Sequence, residues 1–363
     1  MKFIDEFRNP ELVQDIARRL TEPAAPEAVL MEVCGTHTMA AARFGLKSLL
    51  PPQVKLISGP GCPVCVTDQG DLDAFLSLGS KPHTVLASFG DMLRVPGSHT
   101  SLERARAQSA DVRVVYSPLD AVELAKQEPE KMLVFFGVGF ETTMPATAMA
   151  IKLAAADNLN NFLVFCVHKT MPAALRALLA GGEVRVSGLL LPGHVTTIIG
   201  AQAYDFISQE FGVPGAVAGF EPVDMLLGIE SLLRQLSQGQ AFIDNVYPRA
   251  VQRQPNPRAQ ELLAEVFAPD DTKWRGLGLI PDSGVKIRES YAAFDARARF
   301  PQVWTDLAPP PPSPCRCGEV LRGVLMPKQC PLFDKGCNPS QPLGPCMVSS
   351  EGACAAAYRY ERE

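Results

Sequence analysis

Runs of Val, Ile, Leu and Phe, each five or six residues long and closed by Gly, Pro, Ser or Thr, recur through the first two thirds of the chain. Between them, apolar residues return at helical spacing. Unbroken apolar runs are what strands buried on both faces of a parallel sheet require, whereas half-exposed strands alternate. Eight strands are predicted on this basis, at 29–33, 54–58, 84–89 and 112–116, then at 132–137, 162–167, 186–191 and 216–220.

The second four echo the first four. Met31-Glu32-Val33-Cys34-Gly35 leading to Thr38-Met39 is answered by 135–139 leading to Thr143-Met144, and Ser117-Pro118-Leu119-Asp120 by Glu221-Pro222-Val223-Asp224. The offset is 104 or 105 residues each time, and the strand at Thr84 keeps it with the one around Gly188. The expected architecture is α/β, with two similar Rossmann-like parallel-sheet lobes, 22–125 and 126–235, forming a cleft. An N-terminal helical segment, 1–21, precedes them, and a mixed third domain, 236–363, follows. That domain carries a helical pattern at 259–267, the stretch Gly276-Leu277-Gly278 to Gly284, and a stiff proline run at 309–314 that leads into a Cys-rich tail. In open α/β sheets ligands sit beyond the C-terminal strand ends, so the turns that close the strands are where chemistry is sought.

Composition narrows the function. Among 363 residues, 34 Lys and Arg face 39 Asp and Glu for a net charge of -5, and no long basic run offers a phosphate backbone a footprint. No nucleic-acid partner is expected. No apolar stretch reaches the ~18–20 residues of a membrane span, and the charged start Met1-Lys2-Phe3-Ile4-Asp5-Glu6 lacks the apolar core of a signal peptide, so a cytoplasmic protein without membrane contact is expected. Six of the ten cysteines, Cys315, Cys317, Cys330, Cys337, Cys346 and Cys354, fall in the tail. In a reducing compartment such a group reads as a metal or redox centre rather than a disulfide framework.

Two thiol motifs close the first two strands. In Cys34-Gly35-Thr36-His37-Thr38 a thiolate would face the N–H groups opening the next helix, which lower a thiol pKa, and His37 could pair with it or share a metal. In Gly59-Pro60-Gly61-Cys62-Pro63-Val64-Cys65 the two thiols can bind one metal or close a reversible disulfide. Adjacent strands ~5 Å apart would bring all three sulfurs to one sheet edge. Gly137-Val138-Gly139-Phe140-Glu141 lacks the third glycine of a dinucleotide loop, and Glu141 would repel a pyrophosphate, so a nicotinamide enzyme is disfavoured. Glu141, His194 of Pro192-Gly193-His194-Val195 and Glu221 of Phe220-Glu221-Pro222 are candidate cleft residues facing the sulfurs, and Cys166 reads as core. The tail lacks paired zinc knuckles, and its widely spaced single Cys suit four thiolates around a [4Fe–4S] cluster better than zinc.

Taken together, these motifs and Met347-Val-Ser-Ser-Glu-Gly-Ala-Cys-Ala-Ala356 resemble the HypD family of [NiFe] hydrogenase maturation factors, in order and over nearly the whole chain. The resemblance implies a scaffold that works with a HypC-type small chaperone and a HypE-type cyanide donor while an Fe(CN)2(CO) unit is assembled. It makes Cys34 the iron-ligating thiolate with His37 close by, and Cys62 and Cys65 a redox-active pair able to help hold iron. Cys317, Cys330, Cys337 and Cys354 become the cluster ligands, with Glu351 in the motif of the last. Two departures stand out. Met39 occupies a position where the family often has a second His, and Cys315 and Cys346 are surplus, so that Cys315 competes with Cys317. The leading expectation is an assembly scaffold with redox capability and no turnover of a free metabolite. The alternatives are a cluster-coupled thiol–disulfide oxidoreductase and a zinc-stabilised interaction module.

Overall fold

The computed structural model describes residues 5–21, 25–183, 185–305 and 310–362, and contains all eight expected strands with ends moved by at most two residues. They are β1 Ala28–Glu32, β2 Val54–Ser58, β3 Thr84–Ser88, β4 Asp111–Val114, β5 Met132–Gly137, β6 Phe162–Cys166, β7 Gly188–Pro192 and β8 Gly215–Ala218. A short β9, Ile243–Asn245, follows, and β10 Phe267–Trp274 pairs antiparallel with β11 Gly278–Ile287 as a hairpin. Helix Pro10–Thr21 occupies the N-terminal segment, of which 1–4 lie outside the described residues. The expected helix near 259–267 is Pro257–Val266, capped by the Asn256 side chain accepting the Ala259 N–H. Pro309 of the proline run lies outside the described residues, and 310–314 form no helix or strand.

The sheets correct the expected lobe boundaries. One parallel sheet has the order β2-β1-β7-β8-β9 and the other β4-β3-β5-β6, so neither follows 22–125 or 126–235. The starts of β5, β7 and β8 trail those of β1, β3 and β4 by 104 residues, and β6 trails β2 by 108. Replacing each strand by its repeat counterpart turns β2-β1-β7-β8 into β6-β5-β3-β4, which is the second sheet read backwards. Each sheet therefore joins the first two strands of one repeat to the last two of the other, the intramolecular equivalent of a swapped dimer. Two alike repeats offer alike strand edges, so β1 pairs as readily with β7 as with β3, and local pattern does not distinguish the two arrangements.

Successive residues of each strand feed different cores, as the period of two demands. Met31, Ile57, Leu189 and Val217 of the first sheet share one buried cluster with Val134, Phe136 and Phe165 of the second and with Leu72 and Phe75 of helix Gln69–Leu78. Leu30, Leu56 and Leu190 face the other way, onto Ile16, Ala41 and Ile229 of helices Pro10–Thr21, Gly35–Arg43 and Pro222–Ser237. In the second sheet Leu133, Phe135 and Val164 pack on Ala121, Ile151 and Val266. Phe135 and Phe136, both fully buried, each contribute on the order of 1.5–3 kcal/mol. The region expected as a separate third domain is tied into this frame, since β9 extends the first sheet and Trp274 and Gly284 bridge to Thr67 and Lys169.

Candidate functional site

The order β2-β1-β7 lays three strand-closing turns side by side. The Cys62 turn flanks Cys34 on one side and the His194 turn flanks it on the other. Val33 N–H donates to Leu190 O at 3.2 Å, Gly59 N–H to Glu32 O at 2.8 Å, and Gly35 N–H to Gly61 O at 3.0 Å, which fixes the turns to one another. A Cβ on Gly61 would stand 2.1 Å from the Cys34 nitrogen, so this crossing admits only glycine. Cys62 and Cys65 are joined as a disulfide, and the Cys62 sulfur accepts the Cys65 N–H at 3.2 Å. Cys34, Cys62 and Cys65 are all buried.

The imidazole beside Cys34 is His194, with Nδ1 3.8 Å from Sγ. His37, expected in that role, turns its Nε2 to the Gly219 carbonyl at 2.9 Å. Nε2 must therefore carry the ring proton, and Nδ1 keeps a lone pair with no partner among the described residues. The Phe220 ring lies beside both imidazoles, its centroid 4.9 Å from His37 and 5.1 Å from His194. Burial lowers both imidazoles to about 4, which keeps them neutral and fit to ligate a metal. The expected lowering of the Cys34 thiol is reversed. Burial first, then the Glu351 charge, pushes it up to about 12 against the amides of His37 and Thr36. At neutral pH it holds its proton until a metal displaces it.

The three carboxylates have separate fates. Glu141 is sealed in the interior, where Oε1 accepts the Met171 N–H at 2.9 Å and Oε2 has no partner among the described residues. Burial raises it to about 7. Glu221 is held by Arg8, whose Nη2 reaches Oε1 at 2.8 Å and whose Nε meets Oε2, so it is not free to face the sulfurs. Glu351 is at the site itself, accepting the Thr36 hydroxyl at 2.5 Å. A Cβ on Gly35 would fall 2.6 Å from Glu351 Cβ, 2.8 Å from its carbonyl oxygen and 3.1 Å from Cys62 Cβ. Ser349 touches Cys62 at 3.4 Å, and the Ser350 hydroxyl reaches Asp91 Oδ2 at 3.0 Å, beyond the end of β3. The tail thus clamps the ends of both sheets. Thr36, Phe220 and Ser349 escaped the sequence reading, although each sits inside a motif already singled out.

The six tail thiols gather. Cys317 lies close enough to Cys315 and Cys346 for each to shift its thiol, and the Cys315 and Cys317 sulfurs both border Gly344. The Cys354 thiol, pushed well up by burial, also feels Cys315, Cys317, Cys337 and Cys330, and Cys337 feels Cys315 and Cys330. The two thiols counted as surplus therefore lie inside the group. No three or more His, Cys, Asp or Glu among the described residues are spaced as ready ligands of one ion. Arg275 borders the group, where its charge weakly opposes the upward shift of Cys315, Cys317 and Cys346. Its guanidinium bonds Thr67 O and Gln69 Oε1, both at 3.0 Å, just beyond the Cys62–Cys65 helix. A cavity of about 690 Å³ lined by His83, Lys131 and Asn161 opens at the other end of the second sheet, where β5 and β6 begin, away from the thiols.

The chain matches the model of the HypD family, described as the hydrogenase formation hypA family, over residues 9–361. It is 45% identical to the hydrogenase maturation factor HypD of Rhizobium leguminosarum bv. viciae, covering 100% of this chain and 96% of that protein. The identity to the HypD of Escherichia coli K12 is 45%, over 100% of this chain and 99% of that one. For Cupriavidus necator HypD it is 44%, over 100% and 98%. With its repeated α/β frame and full-length similarity to these maturation factors, the chain belongs to the HypD family of hydrogenase maturation proteins.

Proposed function

We propose that this protein is the scaffold on which iron receives its diatomic ligands, bound through Cys34 as an Fe(CN)2(CO) unit, in company with a HypC-type chaperone and a HypE-type cyanide donor. The observation that carries the proposal is the row Cys62, Cys34, His194 created by the strand order, with a neutral imidazole 3.8 Å from a thiol that only a metal would deprotonate. Soft thiolate suits low-valent iron with strong-field ligands, and the neutral His194 stands beside it.

The tail thiols fit a [4Fe–4S] cluster by donor chemistry, which when bound would supply single electrons. The family resemblance makes Cys317, Cys330, Cys337 and Cys354 the four ligands, and Cys315, which lies against Cys317, competes with it for that place. Helix Pro345–Val348, which carries Cys346, packs on helix Pro63–Val66, which carries Cys65. Electrons for the Cys62–Cys65 pair therefore have a short internal route. Both sulfurs are too buried to meet a partner protein's disulfide, which favours the scaffold over a general thiol–disulfide oxidoreductase.

The test is infrared spectroscopy of the protein purified without oxygen alongside its small partner. Bound CN and CO stretches are expected, and Cys34→Ala is expected to abolish them. Bands that persist in Cys34→Ala would overturn the assignment of the iron to this thiol.

A further inference from the structure

We propose that Ser349 sets the redox balance of the Cys62–Cys65 pair by a hydrogen bond that its hydroxyl makes to the Cys62 sulfur. The inference rests on the reading of this pair as redox-active and goes beyond it by naming the side chain that tunes it.

Ser349 lies in the tail, 287 positions from Cys62, yet its Oγ is 3.4 Å from that sulfur. Both residues are buried, at 1% and 3% exposure, so no water competes for the contact. In the disulfide the Cys62 sulfur carries no proton, so the hydroxyl must donate. Its oxygen meanwhile accepts the Glu351 N–H at 3.2 Å, which fixes the side chain in place. The same sulfur also receives the Cys65 N–H at 3.2 Å, while no bond of either kind is made to the Cys65 sulfur among the described residues.

A disulfide sulfur is a poor acceptor. Reduction by a dithiol, which gives up two electrons and two protons and closes its own disulfide, breaks the S–S bond and leaves one further electron pair on each sulfur; both protons are taken up, or one if Cys62 stays a thiolate and the other goes to solvent. As a thiol Cys62 can donate to Ser349 Oγ, and as a thiolate it accepts from the hydroxyl. Either way the bond is stronger after reduction than before, so Ser349 favours the reduced pair. Ser349 acts through Cys62 and is a positioning residue. The contact also makes the redox state of the pair sensitive to whether the tail is seated.

The experiment equilibrates the full-length protein, purified without oxygen, in mixtures of reduced and oxidised dithiothreitol. After acid quench and alkylation, mass spectrometry of the peptide holding Cys62 and Cys65 reads the disulfide fraction. Ser349→Ala is expected to favour the disulfide about tenfold, a midpoint shift of ~30 mV to more negative potential. Ser349→Thr, which keeps the hydroxyl, is expected to restore most of it. Ser350→Ala, which loses only the Asp91 contact, is expected to leave the midpoint unchanged. An unchanged midpoint in Ser349→Ala, or an equal shift in Ser350→Ala, would overturn the inference. A Cys62–Cys65 peptide that never changes its labelling at any ratio, in wild type as well, would instead refute the redox reading of the pair.

Discussion

Gly35→Ala separates what the sequence implies from what the packing imposes. Gly35 opens helix Gly35–Arg43, and on helix propensity alone an alanine there would be neutral or favourable by up to ~1 kcal/mol. The added methyl, however, would fall 2.6 Å from Glu351 Cβ, 2.8 Å from Glu351 O and 3.1 Å from Cys62 Cβ. None of these is the movable end of a long side chain, so the clash costs about 1–3 kcal/mol. The Cys62 turn is pinned to the sheet by Gly35 N–H to Gly61 O and Gly59 N–H to Glu32 O, whereas the tail is held by side-chain contacts, Thr36 to Glu351, Ser350 to Asp91 and Lys47 to Glu361. Strain should leave through the weaker attachment. A cost of ~2 kcal/mol raises the opening constant of the tail by roughly 30-fold. Native-state hydrogen exchange should show that loss of protection in helix Ala353–Tyr360, with the amides of β1 and β7 unchanged. Gly181→Ala is the control, because no described heavy atom lies within 4 Å of its added methyl, and it should be neutral or stabilising by ~0.5–1 kcal/mol. If Gly35→Ala behaves like Gly181→Ala, with the tail still protected, the interlock of the three turns is wrong.

Glu141→Gln should change how stability depends on pH. Folded Glu141 holds its proton to about 7 and an unfolded carboxyl to 4.5, so wild type loses stability as pH rises through that window, by up to ~3 kcal/mol, and the variant does not. Urea midpoints of the two should diverge from pH 4 to pH 8, and parallel curves would count against a buried neutral acid. His194→Ala should weaken ferrous iron binding at least ~10-fold with little change in melting temperature, whereas His37→Ala should chiefly lower the melting temperature, since its ring is packed against Phe220 and bound to Gly219; the reverse pattern would return His37 to the thiol's side. Arg249→Ala strands the fully buried Asp224 carboxylate, which it now grips at 2.7 and 2.6 Å, and should cost ~3–5 kcal/mol in urea unfolding. Arg176→Ala, which breaks the half-exposed pair with Glu210, should cost less than ~1 kcal/mol, and similar losses at the two sites would contradict the role of burial.

Strand positions were legible because burial on both faces leaves an unmistakable mark. Leu30 and Met31 are neighbours in sequence and both fully buried, in different cores, so the run shows no polar break. The short β9 left none, being three residues long and only partly buried. The pairing of strands was hidden for a different reason. Leu30 pairs with Gly188 in β7 by the same hydrogen bonds it would make with an equivalent residue of β3. The choice is made by tertiary fit over the whole molecule, through long connections whose length costs little entropy and leaves no local signature.

That hidden choice is what makes the site. Had β1 paired with β3, the turn beside Cys34 would have been Phe89-Gly90-Asp91, with no imidazole to offer. By taking β7 instead, the chain sets His194 against the thiol and leaves His37, its neighbour in sequence, for structure. The repeat shows the same division of labour. The counterparts of Cys34 and His37 104 residues on are Val138 and Glu141, and Glu141, like His37, is fully buried with one polar atom on a backbone group and the other bare. The position three residues past Cys34, and past its counterpart Val138, is therefore a structural plug in both halves, whatever its side chain. Sequence proximity to Cys34 was a poor guide to contact with its thiol because Cys34 is the extended N-cap of helix Gly35–Arg43 and His37, in its first turn, is held by Gly219 and Phe220, while the sheet brings His194 to the sulfur.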